Sequence, residues 1–178
     1  MGGGRMESEE SAGSAIRAFG GIMRLSMVLL CCWAVTQCAL RPIPRDLAVY
    51  VNRDVDGIAG LEELALRRYA GMTGENYVSD QALRRALETQ VIPVYERFSV
   101  LADGIRPRTE PVRQLHALYR QAATLRLRGF RMILLAIDTR DPDLVRQANR
   151  LLEQARQLIV QWRDRLDRMA EAYELRRY

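Results

Sequence analysis

The sequence contains no lysine: all 27 basic side chains are arginine. Arginine codons are GC-rich and lysine codons AT-rich, so complete replacement points to a GC-rich bacterial genome. Cysteine is confined to Cys31, Cys32 and Cys38, and its absence thereafter excludes a disulfide framework in the rest of the chain. His116 is the single histidine, which excludes a metal site built from several imidazoles and any relay needing two. The Glu-x-x-His pairs of di-iron bundles are missing, since Glu110 is followed three residues later by Arg113. So is the Cys-x-x-Cys-His haem-attachment pattern. No catalytic, cofactor-binding or metal-binding residue is predicted, and no cofactor. The apolar run Leu25 to Val35 is about half the ~20 residues that a membrane-spanning helix needs, so a permanent transmembrane anchor is not expected.

What is present suits one domain. With 178 residues and 48% apolar content the chain can build a core. Its net charge of +5 comes from interleaved signs, as in Arg163, Asp164, Arg165, Asp167 and Arg168. Interleaving of this kind makes solvated, ion-paired helix faces, and no nucleic-acid partner is expected. The densest basic stretch without an acid holds Arg120, Arg126, Arg128 and Arg131. It is a candidate patch for an anionic lipid, an acidic cell-wall polymer or an acidic partner; the competing reading is an exposed face whose partners lie on adjacent helices.

The amino-terminal part reads as an export signal. From Met23 the sequence MRLSMVLLCCWAVTQC has a positive residue at Arg24, an apolar stretch and then a cysteine. Residues 1–22, rich in Gly, Ser and Glu, read as a disposable leader or a mis-called start. Val35, Thr36, Gln37 and Cys38 resemble the lipobox of bacterial lipoproteins, which ends in an invariant cysteine and carries a small residue where this chain has Gln37. The resemblance covers sixteen residues. It implies cleavage before Cys38, diacylglycerol on its thiol and acylation such as palmitate on its amine, giving firm membrane attachment. It also implies the outer membrane if the cell has two, because no Asp follows the cysteine. The alternative is an ordinary signal peptide and a secreted or periplasmic soluble product. Residues 38–45 then form a stiff tether in which Pro42 and Pro44 forbid a helix.

The remainder, 46–178, repeats apolar residues every three or four positions, the signature of amphipathic helices. The first stripe is Leu47, Val51, Val55, Ile58, Leu61, Ala65 and Tyr69, ended by Gly71 and Gly74. Ser79 or Asp80 caps a second, with Leu83, Leu87, Val91, Val94, Phe98, Leu101 and Ile105 in phase through a kink near Pro93. Thr109 caps a third with Pro111 in its first turn, Val112 to Ile137. Asp141 and Pro142 start the fourth, which runs from Leu144 through Trp162 to Tyr173. Four helices joined by short turns predict an all-α, antiparallel up-down-up-down four-helix bundle.

Candidate chemistry is sparse. His116 reads as a boundary histidine satisfied by water or a carboxylate. Glu62 with Glu63 and Asp54 with Asp56 read as solvated helix positions, and Gly129 as a point of close helix approach. The functional expectation is a non-enzymatic, lipid-anchored envelope protein, an adaptor or scaffold for an unidentified envelope protein. The alternative is a binding module for a small apolar ligand or lipid, in a cavity lined by Tyr95, Phe98 and Tyr119.

Overall fold

A computed structural model describes residues 42–174. The expected leader and signal peptide, and Cys38, lie outside the described residues. Four long helices account for most of the chain, and no strand occurs among the described residues. Helix α1 comprises an α-helical stretch Pro42–Val49, a π-helical stretch Tyr50–Val55 and a further α-helical stretch Asp56–Ala70. Helix α2 has the same build, with Asp80–Ala86, a π stretch Leu87–Val91 and Ile92–Gly104. Helices α3, Glu110–Thr139, and α4, Pro142–Ala172, are uninterrupted.

The ends follow local chemistry. The Ser79 hydroxyl accepts from the Ala82 N–H at 3.2 Å, and the Asp141 carboxylate from the Asp143 N–H at 2.8 Å, each filling one donor that a helix start leaves open. The reading that Pro42 and Pro44 forbid a helix is corrected: both lie in the first turn of α1, where the backbone N–H is not needed for an intrahelical bond. Helix α3 ends on Arg140 in the left-handed region, φ 55°, and the Asp141 N–H reaches back to the Ala136 carbonyl. Thr109 stands at the start of α3 with extended backbone, but its side chain does not cap that helix.

The π stretches decide which residues are inside. A π turn spends one extra residue per turn, so the apolar stripe beyond it is displaced by one position. In α2 the expected in-phase stripe is therefore corrected: Tyr95 and Ala102 are buried, Val94 is half-buried and Leu101 is exposed. The Ile92 N–H donates to the Leu87 carbonyl, five residues back, and the helix continues through Pro93. In α1 the same slip separates buried Tyr50 from buried Val55 by five positions.

The core gathers Tyr50, Leu87, Val91, Tyr95, Phe98, Leu115 and Phe130, all essentially inaccessible to solvent. Burying each large apolar side chain contributes on the order of 2–3 kcal/mol before entropy is set against it. Helix α4 packs mainly on α3, and its buried residues Ala148, Ala155 and Trp162 recur every seven positions. Gly129 of α3 faces it. A Cβ there would sit 2.7 Å from Leu152 Cδ2 and 3.5 Å from the Ala148 carbonyl, so glycine permits the close approach.

Candidate functional site

The polar groups of the interior fall into two neighbouring clusters and one outlying carboxylate. The first cluster is built around Tyr50, placed at the start of the α1 π stretch. Its hydroxyl lies 3.1 Å from Trp162 Nε1 and 3.3 Å from His116 Nδ1, while His116 Nε2 lies 3.1 Å from the Ala102 carbonyl. Indole N–H can only donate and a carbonyl can only accept, which fixes the direction of the chain. Trp162 donates to the Tyr50 oxygen, Tyr50 donates to Nδ1, and Nε2–H donates to Ala102. All four helices are joined by three hydrogen bonds.

His116 is 3% exposed, so it belongs to the interior and not to the boundary where the sequence reading put it. Burial pushes its pKa below the usual histidine value, opposed by the bond to Ala102, and the neutral ring matches the donor–acceptor pattern. Burial likewise raises the Tyr50 hydroxyl well above the ordinary tyrosine value, with the Trp162 bond opposing it.

The second cluster centres on Glu62 and Arg126, 2.5 Å apart, with side chains only 15% and 12% exposed. Glu62 also accepts from Tyr119 at 2.9 Å and, more weakly, from Tyr95 at 3.4 Å. The guanidinium of Arg126 donates to the Tyr95 hydroxyl at 3.3 Å and lies 6.0 Å from its ring centroid. Tyr95 and Tyr119 both have pKa values raised well above the ordinary range, first by burial and then, for Tyr119, by the Glu62 charge. The clusters meet where Tyr119 packs 5.1 Å from Trp162 and 6.5 Å from His116, ring centre to ring centre.

Reading Glu62 as a solvated carboxylate is corrected by this arrangement. The sequence did carry a signal: Glu62 falls between Ile58 and Ala65 in steps of four and three, and Arg126 between Ala122 and Phe130 on α3 in two steps of four. A charge standing on an apolar stripe implies a buried partner.

Asp46 is the outlying group, 7% exposed near the start of α1. Its carboxylate accepts the Arg108 N–H at 3.0 Å, the Thr109 N–H at 2.8 Å and the Thr109 hydroxyl at 2.7 Å. Burial alone would raise its pKa; the bonds from Thr109 and Arg108 outweigh burial and hold it below the ordinary carboxylate value.

The four arginines of the candidate patch are not brought together. Arg126 points inward, Arg120 pairs with Asp103 at 2.8 Å and Arg131 with Glu96 at 2.7 Å, while Arg128 is exposed, with no acidic partner among the described residues. Tyr95, Phe98 and Tyr119 pack on one another, with ring centroids 5.0 and 5.9 Å apart. Every buried side-chain nitrogen and oxygen among the described residues has a partner. Among the same residues no three His, Cys, Asp or Glu gather as a metal-ligand set, and no helix is long and apolar enough to cross a membrane.

Chemically, the arrangement ties helices together. The Glu62 carboxylate already accepts three donors, and both His116 nitrogens are spent on the fold. No protein-family model, curated protein or solved structure matches the chain.

Proposed function

We propose that the chain is a non-enzymatic envelope protein, anchored through a lipid on Cys38, that serves as an adaptor or scaffold for another envelope component. The observation that carries the non-enzymatic part is the full commitment of the interior polar groups to one another, Glu62 with Arg126 and two tyrosines, His116 with Tyr50 and Ala102. A general base or nucleophile needs a free lone pair at an accessible position. The anchor rests on the lipobox-like Val35 to Cys38. Mutual packing of the Tyr95, Phe98 and Tyr119 rings favours a scaffold over an internal ligand chamber.

The scaffold itself is an up-down-up-down bundle. Supporting pairs run in opposite sequence directions between consecutive helices: Glu62 with Tyr95 and Arg68 with Gln90; Asp103 with Arg120 and Arg84 with Asp138; Gln114 with Arg165 and Gly129 with Leu152. Short connections favour the same topology.

Mass spectrometry of protein from cells fed labelled palmitate tests the anchor. Wild type carries the label on a chain that begins at Cys38, and Cys38→Ala carries none. Label retained in the variant, or a mature terminus elsewhere, removes the anchor from the reading.

A further inference from the structure

We infer that the outward face of the α3–α4 pair is the interface of a symmetric dimer, its occupant a second copy of this chain. The antiparallel pairing of α3 and α4 comes from the up-down-up-down reading, on which the dimer therefore rests; the Cys38 anchor plays no part in it. On α4, Ala148, Ala155 and Trp162 mark the line that faces the interior. Leu152, Ile159 and Leu166 flank that line on one side and pack on the core. Neighbouring positions stand about 100° apart around a helix, so half-buried Leu144, Leu151 and Leu158 flank it on the other. Arg165 continues their row and donates to the Gln114 side chain at 2.6 Å, so this flank borders α3. There Leu118, Leu125 and Met132, also half-buried, stand between the inward Leu115, Ala122 and Gly129 and the row that begins at Gln114. The Gln114–Arg165 bond and the approach of Gly129 to Leu152 set one register, in which Leu125 falls between Leu151 and Leu158.

Outside this seam run two exposed rows that repeat every seven residues: Gln114, Gln121, Arg128 and Leu135 on α3, and Gln147, Gln154, Gln161 and Arg168 on α4. Seven residues are nearly two whole turns, so each row stays on one side of its helix. The side chains of Gln121, Gln147, Gln154 and Gln161 bond to no other group among the described residues. Acids stand only beyond the ends of the rows, Glu110 paired with Arg113 and Asp143 paired with Arg146. The remaining exposed side of α4 is charged instead, with Glu153 paired to Arg156 and Asp164 and Asp167 following. Leucines and amides on one side, ion pairs on the other, is the division between an interface and a solvated face.

A surface pairs with its own copy only when its groups can meet their like. Leucine meets leucine, and an amide offers both donor and acceptor to another amide. Arginine cannot meet arginine, and this selects the arrangement. A two-fold axis across the helices would set Arg128 within about 10 Å of its own copy along α3. An axis along the helices lays α3 of each copy on α4 of the other, level by level. Arg128 then comes level with Gln154 of the second copy, Gln121 with Leu158 and Gln161, and Leu135 with Leu144. Glu110 comes level with Arg168 and supplies a charge pair. Helix length and diameter make the face about 32 Å by 20 Å, so two copies bury about 1,300 Å², within the ~1,200–2,000 Å² of stable interfaces.

Light scattering tests this on the full chain carrying Cys31→Ser/Cys32→Ser/Cys38→Ser, which should have the mass of two chains at micromolar concentration. Gln121→Lys/Gln154→Lys/Gln161→Lys sets like charges against one another across the face and should weaken the dimer about tenfold or more. Gln81→Lys/Gln90→Lys/Asn149→Lys adds the same charge at exposed amides elsewhere and should change it by less than about twofold. Circular dichroism verifies the helices of each. Copies carrying Gln121→Cys should also join copies carrying Gln161→Cys through a short bismaleimide. A single-chain mass, equal losses in the two triple variants, or no joined product overturns the dimer; a single chain leaves the face to residues 1–41 or to another protein. The pairing beneath it is read separately. Gln114→Cys/Arg165→Cys should be bridged by the same reagent within one chain: failure removes the antiparallel pairing, whereas a bridge in a chain that stays single removes only the dimer.

Discussion

At the scale of single residues, Glu62 and Arg126 set the terms on which α1, α2 and α3 meet. Breaking a buried ion pair costs more than forming it gains, because the remaining charge stays desolvated. Arg126→Ala should therefore lower the unfolding free energy by about 3 kcal/mol, while Glu62→Leu/Arg126→Met should recover most of that loss. Urea denaturation of the three proteins decides the matter; a double variant as unstable as the single one would show that the pair is needed for packing and not merely matched in charge.

His116 and Asp46 give the molecule its response to acid. The histidine is held neutral, with its folded pKa below 6.5, so the unfolded chain binds more protons once pH drops beneath that value. Stability should be flat above about pH 6.5 and decline below it, and His116→Gln should flatten the decline down to about pH 5. Asp46 acts lower. Its folded pKa lies below 3.8, so its contribution is complete above that value and disappears as pH falls through the folded pKa. Asp46→Asn should start less stable at neutral pH and lose less between about pH 4 and pH 2. Unfolding curves across the pH range separate the two limbs.

Among the elements, the helices and most of their ends were legible because their causes are local. Ser79, Asp141 with Pro142, and the three-and-four spacing each act within a turn or two. Register after the π stretches was not legible. An inserted residue leaves no mark in the apolar pattern except the choice between Val94 and Tyr95, or Leu101 and Ala102, and tertiary contacts make that choice. Glu62 was half legible: the stripe contained it, but its partner lies 64 residues away.

Two substitutions test a helix end and a helix–helix contact. Arg140 adopts φ 55°, which costs a side-chain-bearing residue about 1 kcal/mol, so Arg140→Gly should raise stability by up to about that amount. Gly129→Val should cost about 2–3 kcal/mol through overpacking against Leu152, and adding Leu152→Ala should restore part of it. Thermal or urea unfolding reads both; a tolerated valine would mean that α4 shifts freely on α3.

For the whole molecule, the distribution of burial predicts uneven opening. Helix α4 buries only Ala148, Ala155 and Trp162 and leans chiefly on α3, whereas α3 is packed from several sides. Amide exchange should show lower opening free energies along α4 than along the middle of α3. Uniform protection would mean that the four helices open only together. Trp162→Phe, which removes the bond to Tyr50, should widen the gap between the two helices.

The Asp46 carboxylate makes the middle of the chain dependent on the first turns of α1. Its donors stand 62 and 63 residues downstream. A proteolytic trim extending just past residue 46 would leave α1 mostly intact while unfastening the entry to α3. Such a trim would be readable as the protease sensitivity of a loop that was never touched.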